Sequence, residues 1–262
     1  MVEMERVPLP GGRVAMPVVG LGTYALRGDE GVRSVRVALD AGYRHIDTAT
    51  MYGNEAEIGR ALADTDVARE QVFVTTKLPP DGIVDPRTAL EESLRALRTD
   101  HVDLWLIHNW PPEDVADPAT WEQMLRAREA GLARAVGVSN YSVSALDQLA
   151  AATGEMPEVN QVRYGPTLHD PQLLADHRKR GLVFEGYQAL KMTPLDHPDV
   201  LEVAAGHGVT PAQVALRWHV QHRVVCIPKS ATPERIRSNL DVFGFELGAD
   251  EMARLDALRR IT

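Results

Sequence analysis

Eight short apolar runs rich in β-branched residues, alternating with helical periodicities, predict an α/β fold: a (β/α)8 TIM barrel over the 262 residues. The spacing agrees, since eight units of roughly 30 residues use nearly the whole length of such a barrel. Seven of the eight runs also end in polar or ionisable residues, at the end of the strands where barrels build their sites.

The elements follow in order. Arg6–Val14 predicts a β-hairpin turning at Gly11-Gly12. The barrel strands are then expected at Val18–Leu21, His45–Thr48, Val72–Thr75, Val102–Ile107, Ala135–Val138, Val159–Val162, Leu182–Phe184 and Val224–Ile227. Between them, Val32, Val35 and Leu39 share a helix face, as do Leu90, Leu94 and Leu97. Trp121, Met124 and Leu125 form another such face, and Val143, Leu146 and Ala150 a fourth. Gly42, Gly131 and Gly181 stand where helices end. After the eighth strand, Thr232 is placed to cap a helix with Pro233 in its first position, a ready anion site. Gly20-Leu21-Gly22-Thr23 is not a dinucleotide fingerprint, because the third glycine is absent. No linker composition divides the chain, so residues 1–262 read as a single barrel domain.

Composition narrows the function. Apolar residues make up 44% and charged residues 25%, which excludes a disordered chain. The single cysteine, Cys226, fits a reducing, cytoplasmic setting. A net charge of −9 argues against nucleic acid as a partner, and no run is long enough to span a membrane. A monomer acting on a small molecule is expected.

The strand ends carry the chemistry. Asp47, Lys77 and His108 close the second, third and fourth strands. Alone, each is readily a cap, a surface lysine or a structural histidine. Together, three ionisable groups converging on one mouth carry a desolvation cost that points to function.

Gly42-Tyr43-Arg44-His45-Ile46-Asp47-Thr48-Ala49 and Tyr52-Gly53-Asn54-Glu55 resemble the signature of the aldo-keto reductases. Thr75-Thr76-Lys77-Leu78, Asp103–His108, Gly137-Val138-Ser139-Asn140, Ile227–Pro233, Arg235-Ile236 and Asn239 continue the resemblance in family order. It implies metal-free reduction of a carbonyl by NADPH. Tyr52 would be the general acid, with Asp47, Lys77 and His108 completing the catalytic group. Ser139, Asn140 and Gln161 would bind the nicotinamide carboxamide, and Tyr187 would stack on its ring. Gly22, Thr23, Asp47, Gln188 and Leu190 would also contact the cofactor. Lys229, Ser230, Arg235 and Asn239 would hold the adenosine end. Tyr24, Met51 and Trp110 would face the substrate.

The residue types suit the reaction. Negative charge grows on the carbonyl oxygen, so a proton donor is needed there. A free tyrosine titrates near pH ~10, and the Lys77 ammonium is expected to lower that value, with Asp47 keeping the lysine charged. Gln188 stands where the family often has a serine, Ser238 where it has a glutamate, and Arg163–Pro166 lacks a common histidine. Only 15 residues follow Leu247 and the segment Pro111–Pro118 is short, which predicts a shallow pocket. Two alternatives compete: a regulatory barrel binding NADPH with little turnover, and a metal-dependent hydrolase or isomerase built on His45, Asp47 and His108.

Overall fold

The computed structural model describes residues 5–79, 85–109 and 117–258. A hairpin leads the chain: β1 (Arg6–Pro8) pairs antiparallel with β2 (Ala15–Pro17), with Val7 opposite Met16. Eight parallel strands follow: β3 (Leu21–Gly22), β4 (His45–Asp47), β5 (Phe73–Leu78), β6 (Val102–Ile107), β7 (Ala133–Ser139), β8 (Val159–Arg163), β9 (Val183–Tyr187) and β10 (Val225–Cys226). Each pairs with the next in chain order. The two edges also meet. Val19 bridges Cys226, the Gly20 N–H donates to the Cys226 carbonyl at 2.9 Å, and the Gly22 N–H donates to that of Pro228 at 3.1 Å. A Cβ on Gly22 would stand 2.7 Å from the Ile227 carbonyl oxygen, so this seam admits glycine alone.

Among the described residues, ten helices wrap the sheet: α1 (Gly28–Ala41), α2 (Glu55–Ala63), α3 (Pro86–Leu97), α4 (Pro118–Glu129), α5 (Val143–Thr153), α6 (Pro171–Lys179), α7 (Pro198–His207), α8 (Pro211–Gln221), α9 (Pro233–Leu240) and α10 (Ala249–Asp256). Their starts are written locally. The side chains of Asp85, Asp117, Ser142 and Asp170 each accept a backbone N–H of the first turn, and Thr210 with Gln213 forms a capping box.

Alternation along the strands separates two cores. On β6, Leu104 and Leu106 face the barrel axis, while Trp105 and Ile107 face the helices. The axial core also takes in Leu9 and Met16 of the hairpin with Phe73, Val159, Val183 and Val225. The last four open their strands, so the hairpin plugs the N-terminal mouth. Only the opposite mouth is left for a site.

Some strand limits differ from expectation. β5 continues past Thr75 to Leu78. Its polar residues do not end it, because Thr76 donates to the buried Glu55 carboxylate at 2.6 Å and Lys77 is neutralised from β4. Residues 18–20, expected to lie within the first barrel strand, instead pair across the seam with the last.

Candidate active site

The open mouth holds a cavity of about 750 Å³. At its floor lies an ion pair. Lys77 Nζ donates to Asp47 Oδ1 at 2.7 Å, to Oδ2 at 2.8 Å and to the Thr48 carbonyl at 2.9 Å. Both side chains are sealed from solvent. Burial alone would lower the Lys77 pKa, but the Asp47 carboxylate, joined by Tyr52 and Glu185, outweighs it and the value rises.

Tyr52 lies over this pair, with Lys77 Nζ 5.3 Å from its ring centroid. The turn Thr50–Tyr52 ends at Gly53, whose φ of 62° suits glycine. Three bonds fix the turn: the Thr50 hydroxyl donates to the Lys77 carbonyl at 3.0 Å, and Asn54 Nδ2 donates to the carbonyls of Thr23 and Leu26 at 2.8 and 2.7 Å. The Tyr52 ring packs edge-on against His108 at 5.9 Å and Tyr24 at 5.3 Å. The expected lowering of its pKa does not occur. Burial raises the Tyr52 value, and Lys77 pulls it back only in part. His108 is driven down to about 3 by burial and then by Lys77, so its imidazole is neutral. Its Nδ1 is buried with no hydrogen-bond partner.

The other strand ends complete the wall. Gln161 Nε2 donates both to Asp47 Oδ2 at 2.8 Å and to Glu185 Oε2 at 2.9 Å. Both of its N–H groups are thereby used, and the amide oxygen remains as an acceptor. Asn140 Nδ2 donates to the Asn109 carbonyl at 3.0 Å, and Asn140 Oδ1 accepts from the Tyr187 hydroxyl at 3.2 Å. The Ser139 hydroxyl donates to the Ile107 carbonyl at 2.9 Å and accepts the Asn109 N–H at 3.1 Å, which leaves it one lone pair. Asn140 and Gln188 both hold left-handed backbone, at φ 56° and 58°, beside the cavity.

Gly22, Thr23, Tyr24, Asp47, Met51, Tyr52, His108, Ser139, Asn140, Gln161, Tyr187, Gln188, Leu190 and Lys229 all line the cavity. Lys77 lies beneath it. Ser230, Arg235 and Asn239 do not line it. Ser230 and Asn239 are buried, and Arg235 is exposed in the first turn of α9. Trp110, all but two residues of the segment Pro111–Pro118, and the end of the tail lie outside the described residues. The expected cap at Thr232 is not made. Thr232 takes the cap position, but its side chain is not engaged, and its N–H donates to the Ser230 hydroxyl at 3.1 Å instead.

Two residues at the site were not anticipated. Lys191 adds a second cation to the cavity beside Lys229. Glu185 is fully buried and faces Asp47 across Gln161, and burial, followed by the Asp47 charge, pushes its pKa up to about 8. The trio of the metal alternative is not assembled. The His45 ring lies beneath the seam, with Nδ1 3.3 Å from the Pro17 carbonyl and Nε2 3.2 Å from the Thr75 hydroxyl. Burial lowers its pKa to about 4.

Comparison with known proteins identifies relatives of the same fold. A model of the aldo/keto reductase family matches residues 18–260. An aldo-keto reductase of Mycolicibacterium smegmatis is 45% identical over 247 residues, covering 93% of this chain and 87% of that one. The 2,5-diketo-D-gluconic acid reductase B of a Corynebacterium species is 44% identical over 246 residues, covering 92% and 88%. Among solved structures, an aldo/keto reductase from Brucella melitensis superposes with a TM-score of 0.91 at 36% identity, covering 97% and 98% of the two chains. A Bombyx mori aldo-keto reductase in complex with NADP gives 0.89 at 32%, covering 98% and 93%.

Proposed function

The chain belongs to the aldo-keto reductase family, and from that premise we propose that it reduces aldehydes, ketones or dicarbonyls to alcohols with NADPH, Tyr52 donating the proton. The observation that carries this reading is the stack of Tyr52 over the buried Lys77–Asp47 pair, with a neutral His108 beside it.

The residues fit a nicotinamide. A primary carboxamide needs one acceptor for its NH2 and one donor for its oxygen. Gln161 has an amide oxygen left to accept, and Asn140 has one N–H left to donate. The Tyr187 ring borders the cavity beside them, its hydroxyl held by Asn140. Lys229 and Lys191 supply cations for phosphate on the cavity wall, and Arg235 and Ser230 extend that charge and hydrogen bonding toward α9. When bound, NADPH supplies the hydride to the carbonyl carbon.

The chain supplies the rest. Burial keeps the Tyr52 phenol protonated at neutral pH, ready to donate to the substrate oxygen. As the phenol gives up its proton, Lys77 stabilises the phenolate, and Asp47 holds Lys77 charged and in place. His108 can donate a hydrogen bond to the same oxygen without carrying charge. Tyr24 and Met51, 67% and 49% exposed, offer apolar surface at the rim for a substrate's body. The Corynebacterium relative is named for a diketo acid, which favours small dicarbonyls among the substrates. NADPH oxidation followed against aldehydes, ketones and dicarbonyls tests the reading. Turnover faster than with NADH supports it, and no turnover on any of the panel overturns it.

A further inference from the structure

A second constellation lies in the helical layer, and none of its members lines the reductase cavity. His169 follows the turn Pro166–Leu168 ahead of α6, His222 closes α8, and Asp256 is the last residue of α10. One ligand atom from each lies within 4.8 Å of the others.

The distances are informative. His222 Nε2 is 2.7 Å from Asp256 Oδ1, an ordinary hydrogen bond. His169 Nε2 is 3.6 Å from Asp256 Oδ2, too long for one. Two ligands each about 2.0–2.1 Å from a tetrahedral zinc ion stand about 3.4 Å apart. The His169 Nε2–Asp256 Oδ2 gap is therefore close to that of two ligands sharing an ion, and His222 Nε2 reaches the same carboxylate at its other oxygen.

Two of the three ligands are aimed by a further partner. The Trp218 indole N–H donates to Asp256 Oδ1 at 2.7 Å. The Tyr164 hydroxyl lies 2.8 Å from His169 Nδ1, which turns Nε2 toward the carboxylate. The three side chains are 8%, 18% and 31% exposed, so the group is held yet reachable from solvent. There is also a structural use for an ion here, because Leu255 is the one fully buried residue of α10.

We propose that His169, His222 and Asp256 bind a divalent transition ion, zinc foremost, which staples α10 to α8 and to the loop before α6. Two imidazole nitrogens and one carboxylate oxygen suit zinc, and do not suit calcium or magnesium, which take oxygen ligands. Three protein ligands leave a fourth position for water. The proposal does not depend on the reductase reading.

The test is calorimetric titration of untagged, chelator-treated protein with zinc chloride, alongside thermal melts. One site per chain, with a Kd of about 10 µM or tighter and a rise in Tm, is expected. His222→Ala and Asp256→Asn should each weaken binding at least about tenfold and abolish the rise in Tm. Asp256→Asn retains an acceptor for Trp218, so it stays informative if His222→Ala fails to fold. His207→Ala, which removes a separate contact to Glu251 at 3.0 Å, should leave binding unchanged. No site of that affinity, or a site that survives Asp256→Asn, overturns the proposal.

Discussion

Lys77 Nζ lies 2.7 Å and 2.8 Å from the two carboxylate oxygens of Asp47, and neither side chain meets solvent. Removing one partner strands the other's charge in the interior. Lys77→Met should therefore destabilise the fold by about 3–5 kcal/mol, and adding Asp47→Asn should recover much of that loss. Denaturant melts of the two single variants and the double variant measure the coupling. Additive losses would show that the pair is not held as described. The account further expects a severe fall in kcat for Lys77→Met, beyond what its stability explains.

The pH–rate profile follows from two side chains. With His108 held near 3 and Tyr52 above its ordinary value of about 10, neither changes charge between pH 5 and 9. On the proposed mechanism the proton comes from Tyr52, so these two groups should cause no loss of kcat across that range, and kcat should fall as pH rises through the tyrosine's value. A fall centred between pH 6 and 7 would assign the proton to a histidine instead.

Glu185 gives a stability prediction of defined sign. Its pKa in the folded protein is about 8, raised from an ordinary 4.5. Between those values the native state keeps a proton that the unfolded chain has lost, so stability falls as pH rises across that window. Asp47, Gln161, Lys77, His45 and Cys226 are the groups that face it. Glu185→Gln cannot ionise, and its stability should decline less between pH 5 and 8. Equal slopes for variant and parent would show that Glu185 is ionised throughout.

Lys229 and Arg235 should distinguish the two nicotinamide cofactors. Loss of one charge-assisted contact typically costs about 1.5–3 kcal/mol, so Lys229→Ala or Arg235→Ala should weaken NADPH binding roughly ten- to a hundredfold and NADH binding far less. Fluorescence titration with each cofactor measures this. Equal losses would mean that neither side chain reads the 2′-phosphate.

The sequence made parts of this site legible for a physical reason. Asp47 and His108 sit at strand ends, where a polar residue after an apolar run marks the functional mouth of a barrel. The same logic placed Ser139, Gln161 and Tyr187. Lys77 was found too, although its strand runs on to Leu78, because its charge is neutralised from β4 rather than by solvent. Glu185 was illegible as a buried acid. In a single strand it looks like one solvated carboxylate, and only the closing of β8, β9 and β4 around Gln161 buries it. The direction of the Tyr52 shift was missed because neighbouring charge can be read from sequence but depth of burial cannot. Thr232 was misjudged at short range, since Ser230 two residues earlier takes the N–H contact.

Proton donation by Tyr52 is the step on which the proposed reduction rests. Steady-state NADPH oxidation by Tyr52→Phe, paired with fluorescence titration of NADPH, isolates it. In Tyr52→Phe, kcat should fall by on the order of 10²-fold or more while the dissociation constant for NADPH stays near that of the parent. A variant that keeps the parental kcat would contradict it.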